Sequence, residues 1–141
     1  MAVNAPLRQY SFSLPAEPVS VPRARAEAAK VLADWGLLRA TAVVDVALLA
    51  LSELVTNCVQ HAATASPITD ICLAEEGSHL VVAVHDRDPN LPRARLAPHV
   101  DDSSGRGLRL VEQMTAEAGG TTAVPPDPDG GGKTVTVRLP L

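Results

Sequence analysis

Glu53, Asn57 and His61 recur at intervals of four in an otherwise apolar segment. At 3.6 residues per turn this spacing keeps them on one side of a helix, drifting by about 40° per step. An isolated E-x-x-x-N-x-x-x-H stripe is most often a solvated face. Here, however, Val46 and Leu49 fall in the same angular sector one to two turns earlier, so the face begins apolar and ends polar. That change fits a helix whose tail emerges into a cleft. There an Asn carboxamide can offer oxygen to Mg²⁺ while a nearby carboxylate accepts a hydroxyl proton.

Asp86 closes the run Leu80-Val-Val-Ala-Val-His-Asp, in which Leu80, Val82, Val84 and Asp86 share one face of a strand. One reading is a turn-initiating Asp that caps the following loop. The other is a carboxylate at the edge of a pocket, accepting a hydrogen bond from an amine such as adenine N6; left without a partner there it would be costly. Gly105-Arg106-Gly107-Leu108 precedes a periodic segment. Two glycines before a helix let backbone N–H groups approach an anion closely, and the helix N-terminus favours negative charge. Arg106 between them is either a phosphate contact or a surface charge. Gly132-Lys133-Thr134 imitates a P-loop, but that motif requires Gly where Asp127 stands, and the residues that follow read as a strand. Lys133 is therefore not a P-loop lysine.

The elements that must position these groups follow from periodicity. Tyr10, Phe12 and Leu14 alternate with polar residues, giving a first strand ended by Pro15. Ser20 is the expected N-cap of a helix running to Trp35, with Gly36 as its stop. A second helix covers about Thr41 to Ala63 and is apolar almost all round, which implies burial against a sheet. Strands at Ile68 to Ala74 and Leu80 to Asp86 join at Glu76-Gly77-Ser78. From Arg87 to Gly105 the pattern dissolves into a long loop, and long loops in compact domains are commonly functional. A helix then runs from Gly107 to near Gly119, followed by strands at Thr121 to Val124 and Thr134 to Leu139. The order β-α-α-β-β-loop-α-β-β predicts an α/β (α+β) two-layer sandwich, its sheet mixed but mostly antiparallel, with the helices on one face.

Composition narrows the function. The chain of 141 residues suits a single domain, read as 11–141 after a short extension at 1–10. Only Tyr10, Phe12 and Trp35 are aromatic, so Ala, Val and Leu must build the core. Net charge is −4 with both signs interspersed, and no basic stripe or aromatic platform predicts direct nucleic-acid binding. Cys58 and Cys72 lie in apolar patterns without C-x-x-C spacing and read as reduced core residues. The most apolar stretch, Ala42 to Val55, contains Asp45 and Glu53 and reads as too short and too charged to span a bilayer; no leader is expected, and the location expected is cytoplasmic.

The order of these motifs resembles a known family. Glu53-Leu-Val-Thr-Asn57-Cys-Val-Gln-His61-Ala is similar to the N-box of the GHKL (histidine kinase-like) ATPases, in the form found in bacterial anti-sigma-factor serine/threonine kinases. His85-Asp86-Arg-Asp88-Pro89-Asn-Leu-Pro92 resembles their adenine box, and Gly105-Arg106-Gly107-Leu108-Arg-Leu-Val111 their phosphate-binding box. Gly132-Lys133-Thr134-Val135 resembles the last motif, and Phe12-Ser-Leu14-Pro-Ala16 and Val21-Pro-Arg-Ala-Arg25 are similar to actinobacterial members. The likeness covers about Ser11 to Leu139.

The resemblance implies an ATP- and Mg²⁺-dependent fold with these roles. Asn57 binds Mg²⁺ and Glu53 is the base for the acceptor hydroxyl. Asp86 recognises adenine N6, assisted through water by Thr134. Residues 87–105 form a lid, and Gly105, Arg106, Gly107 and Leu108 bind phosphate. His61 and Asp88 lie within the nucleotide motifs; Asp88 stands where the superfamily usually has Gly. The implied partners are a sigma factor and a STAS-domain anti-sigma-factor antagonist, the latter phosphorylated; dimers are common in the family. The alternative is a non-catalytic ATP-binding module that sequesters a sigma factor or another regulatory partner.

Overall fold

The computed structural model describes residues 8–89 and 103–141, so the central part of the expected lid, 90–102, lies outside the described residues. β1 (Arg8–Pro15) leads into α1 (Ser20–Asp34) and, after a short 3₁₀ turn at Leu37–Arg39, into α2 (Thr41–Asn57). β2 (Ile68–Glu76) and β3 (His79–Asp86) form the hairpin at Gly77-Ser78, followed by α3 (Ser103–Glu117), β4 (Thr121–Ala123) and β5 (Lys133–Pro140). The strand order is β1-β2-β3-β5-β4. Every neighbouring pair is antiparallel, so the expected mostly antiparallel sheet is wholly so among the described strands.

Period-2 patterning decides which side of the sheet is dry. Ile71 and Leu73 of β2, Leu80, Val82 and Val84 of β3, and Val135, Val137 and Leu139 of β5 point into one core with Ala28, Leu32, Val44, Ala47, Leu51, Leu54, Val55, Leu108 and Val111 of the helices. Burying each such Leu or Val side chain contributes roughly 1.5–3 kcal/mol, and this anchors all three helices to one face. α2 lies centrally, between α1 and α3 and against β3 and β5. Its helical path continues to Ala62, long and apolar enough to cross a bilayer by length and composition. The shortness argued from Ala42 to Val55 therefore does not hold; what identifies α2 as a core helix is its buried stripe against the sheet.

Three local expectations are corrected. Ser20 is the first residue of α1, and its hydroxyl donates to the Pro15 carbonyl at 2.6 Å instead of capping the helix, because the side chain is fully buried beneath the end of β1. Gly36 takes φ +74° and stops the helix as expected. Cys72 is half-buried on the uncovered side of the sheet and not in the core: alternation from the inward Ile71 and Leu73 turns it outward. Finally, α3 begins at Ser103, so Gly105 and Gly107 lie inside its first turns and not before it.

Candidate functional site

Gly107 shows why α3 accepts glycine within its body. A Cβ there would sit 3.1 Å from Glu53 Oε1 and 3.4 Å from Asn57 Oδ1. Two oxygens from successive turns of α2 thus lie beside one point at the flank of α3, where a side chain at 107 would press on the Glu53 carboxylate. The neighbouring Leu108 is fully buried and fastens the start of α3 to the core. α2 changes character beside this group: its α-helical bonding ends at Asn57, and Cys58–Ala62 form a π-helical turn. Such widened turns are frequent at functional sites. His61 is exposed on that turn and is not among the atoms within 4 Å of the Gly107 point.

Of these two oxygens, the neutral Asn57 carboxamide suits a hard cation that prefers oxygen ligands, such as Mg²⁺, and the Glu53 carboxylate beside it suits proton acceptance. The first-turn N–H groups of α3, those of Gly105 and its neighbours, are donors without intrahelical acceptors. They offer the positive end of a helix dipole to an anion. The segment 105–108 thus remains at a helix N-terminus, in a helix that begins four residues earlier than periodicity places it.

Asp86 is 5% exposed at the end of β3. Its Oδ1 accepts from the Asp88 backbone N–H at 2.8 Å and from Lys133 Nζ at 2.9 Å. Its Oδ2 accepts from the Cys58 thiol at 3.5 Å. Burial first, and then the Asp86 charge, push that thiol up to about 12, so Cys58 acts as a donor. Lys133 is 6% exposed and also donates to the Asp88 carbonyl at 2.8 Å. Asp88 itself is buried at 8% exposure, turned in by the same tight turn. Cys58 follows Asn57 directly, so one turn of α2 touches both the Glu53–Asn57 group and the Asp86 group.

Antiparallel register explains the pairing. Asp86 stands opposite Lys133, and His85 stands opposite Thr134. Asp86 and Lys133 therefore face the helices, whereas Thr134 shares the other face with His85. There Thr134 lines a separate pocket of about 340 Å³ with Ser11, Ser13, Asp70 and Ala83. The Thr134 side chain is not brought to Asp86; the inward residue is Lys133. Gly132 makes this possible, because a Cβ there would lie 2.4 Å from the Asp86 carbonyl oxygen.

Lys133 and Cys58 are the site residues that sequence reasoning missed. The signal for Lys133 was present: Val135, Val137 and Leu139 form an inward stripe, and Lys133 is its first member. The β3 stripe ends in Asp86 in the same way, so two apolar stripes end in opposite charges. Arg106 lies in the first turns of α3, with Gly105 and Gly107 on either side.

Comparison with known proteins agrees with this fold. Residues 14–139 match the family described as the histidine kinase-like ATPase domain. A comparison with curated proteins yields no significant match. Among solved structures, the chain is similar to the crystal structure of the RsbU and RsbW domains of Rv1364c from Mycobacterium tuberculosis, with a TM-score of 0.65 at 21% identity. The alignment covers 97% of this chain and 33% of that one, so this chain spans about a third of its neighbour's length. At that identity the likeness speaks for the fold. The match over most of its length shows that the chain belongs to the histidine kinase-like ATPase domain family.

Proposed function

We propose that the chain is a cytoplasmic, ATP-binding anti-sigma regulator that phosphorylates a serine or threonine on a STAS-type antagonist and, when not so engaged, holds a sigma factor. The observation that carries this reading is the convergence of Glu53 Oε1 and Asn57 Oδ1 beside Gly107, at the helix end suited to phosphate. The presence of an RsbW domain in the similar structure supports the regulatory assignment.

Asn57, with the carboxamide oxygen it turns toward α3, would hold Mg²⁺. When bound, that ion would offset the negative charge of the phosphates. Asp86 would accept the adenine N6–H. The free first-turn N–H groups of α3 up to Gly105, followed by Arg106 and the side-chain-free Gly107, would orient the phosphate chain, and Leu108 would hold that turn against the core. Asp88 would shape the adenine edge of the site through its turn, His61 would stand outside its centre, and Thr134, on the other face of the sheet, would act on it only through the strand it shares with Lys133. Glu53 would take the proton of the acceptor hydroxyl as that oxygen forms a bond to the terminal phosphorus. The bond from phosphorus to the bridging oxygen breaks, and ADP leaves. Such transfer relies mainly on positioning and charge stabilisation, which a small domain can supply.

The test uses the purified chain, Mg²⁺, labelled ATP and STAS proteins. Glu53→Gln should bind nucleotide and partners normally but transfer phosphate about 10² to 10⁴-fold more slowly. Asn57→Ala should weaken Mg²⁺-nucleotide binding itself. Equal transfer by wild type and Glu53→Gln removes Glu53 as the base. A wild type that binds ATP and a STAS partner without transfer establishes the non-catalytic module.

A further inference from the structure

Buried lysines are rare, and one set against a carboxylate at the base-binding end of a nucleotide site calls for a functional account. Lys133 has three N–H donors. Two are committed, to Asp86 Oδ1 and to the Asp88 carbonyl. Asp86 is similarly half-committed: its Oδ1 already has two donors, while its Oδ2 meets only the weak thiol of Cys58. One ammonium donor of Lys133 and one weakly engaged oxygen of Asp86 therefore remain, on opposed residues of β3 and β5.

We infer that Lys133 is a second base-reading residue and that, together with Asp86, it recognises the N6–H and N1 edge of a 6-aminopurine. This rests on the nucleotide-binding reading above and deepens it. The edge of adenine presents an amine donor beside a ring-nitrogen acceptor. The amine meets Asp86 Oδ2, and N1 accepts the third N–H of Lys133. Guanine inverts both positions: its O6 faces the carboxylate and its N1–H faces the ammonium. A pocket whose buried charged groups would be left mismatched rejects such a base strongly.

The experiment is calorimetric titration of the intact protein with Mg²⁺ and four ligands: ADP, 1-deaza-ADP, 3-deaza-ADP and GDP. Wild type should bind 1-deaza-ADP about 10 to 100-fold more weakly than ADP, the worth of one charge-assisted hydrogen bond. It should bind 3-deaza-ADP within about twofold of ADP, and GDP should be the weakest of the four. In Lys133→Met the ADP to 1-deaza-ADP ratio should fall to near unity, which a merely structural lysine would not cause. If Lys133→Met does not fold, the wild-type ratio still decides, alongside the ¹⁵N signal of the Lys133 ammonium, which should shift with ADP and not with 1-deaza-ADP. Wild type binding ADP and 1-deaza-ADP equally overturns the assignment of Lys133 while leaving ATP binding intact. Failure of wild type to bind any of the four removes the nucleotide reading and this inference with it.

Discussion

His85 and Asp86 are neighbours on β3, yet each anchors an ion-paired cluster of a different physical kind. Asp86 turns toward the helices, where it and Lys133 are 6% and 7% exposed at the side chain. His85 turns the other way and bridges two carboxylates, Nδ1 to Asp70 at 3.1 Å and Nε2 to Asp127 at 2.8 Å, with Asp70 half exposed. The inner pair has given up hydration, so each partner depends on the other being present. The outer cluster keeps more of its water, chiefly at Asp70, and is more open to screening by salt. One peptide bond thus separates a cluster suited to specificity from one suited to modest, adjustable tethering of the β4–β5 loop.

The sharpest way to break the comparison is to remove one charge from the inner pair. Lys133→Met or Asp86→Asn alone should destabilise the fold by about 3 kcal/mol or more, since each strands a buried charge. The double variant Asp86→Asn/Lys133→Met should recover most of that loss, and urea denaturation of the four proteins measures the coupling directly. Two additive losses would show that the pair is no more interdependent than a surface bridge. A smaller effect is expected at Gly132, which lies between the clusters. An added Cβ would meet the Asp86 carbonyl oxygen at 2.4 Å and Asp127 Oδ2 at 2.6 Å. Gly132→Ala should therefore cost about 1–3 kcal/mol and loosen both sides at once, weakening ADP binding and the His85 bridge together. Unchanged stability would mean that the strand start shifts freely.

The order of elements and the layer on which the helices lie follow from hydrophobic period alone, and the N-box and Asp86 stripes were readable because each ends an apolar run with a polar group. What the sequence concealed depends on tertiary approach. Glycines disfavour helix interiors by about 1 kcal/mol each, so Gly105 and Gly107 read as a preamble to α3. The structure places both inside it, and at Gly107 an added Cβ would crowd the Glu53 carboxylate. Thr134 matched a motif by residue type, but a strand alternates, and a motif shifted by one residue changes faces. Lys133 has no P-loop around it, and although it heads the inward stripe of β5, its place opposite a buried Asp follows only from the register. The π turn after Asn57 has no composition of its own in this chain, since Cys58 to Ala62 continue the apolar pattern.

The smallest effect belongs to the outer cluster, and there the sign of the pH dependence distinguishes it from the inner one. Burial works against the charged form of His85, but the hydrogen bonds it donates to Asp127 and then Asp70, with their charges, outweigh it and leave the group raised above its ordinary value. A histidine whose folded value exceeds its unfolded one stabilises fully below the unfolded value, about 6.5, and loses that contribution as pH rises through the folded value. The tether between β3 and the β4–β5 loop should therefore be strongest in mildly acidic solution, near pH 5.5 to 6, where the carboxylates are still ionised. Asp127→Asn should cost at most about 1 kcal/mol there, and the gap from wild type should narrow toward pH 8 as His85 loses its charge. Raising salt should shrink the same gap at the acid end, while leaving the Asp86–Lys133 coupling nearly unchanged. Urea melts of wild type and Asp127→Asn at several pH values, at low and high salt, measure this. A gap that widened with pH would mean that Asp127 acts on the loop through something other than the imidazolium, because a neutral ring cannot gain from a neighbouring carboxylate what the charged ring loses.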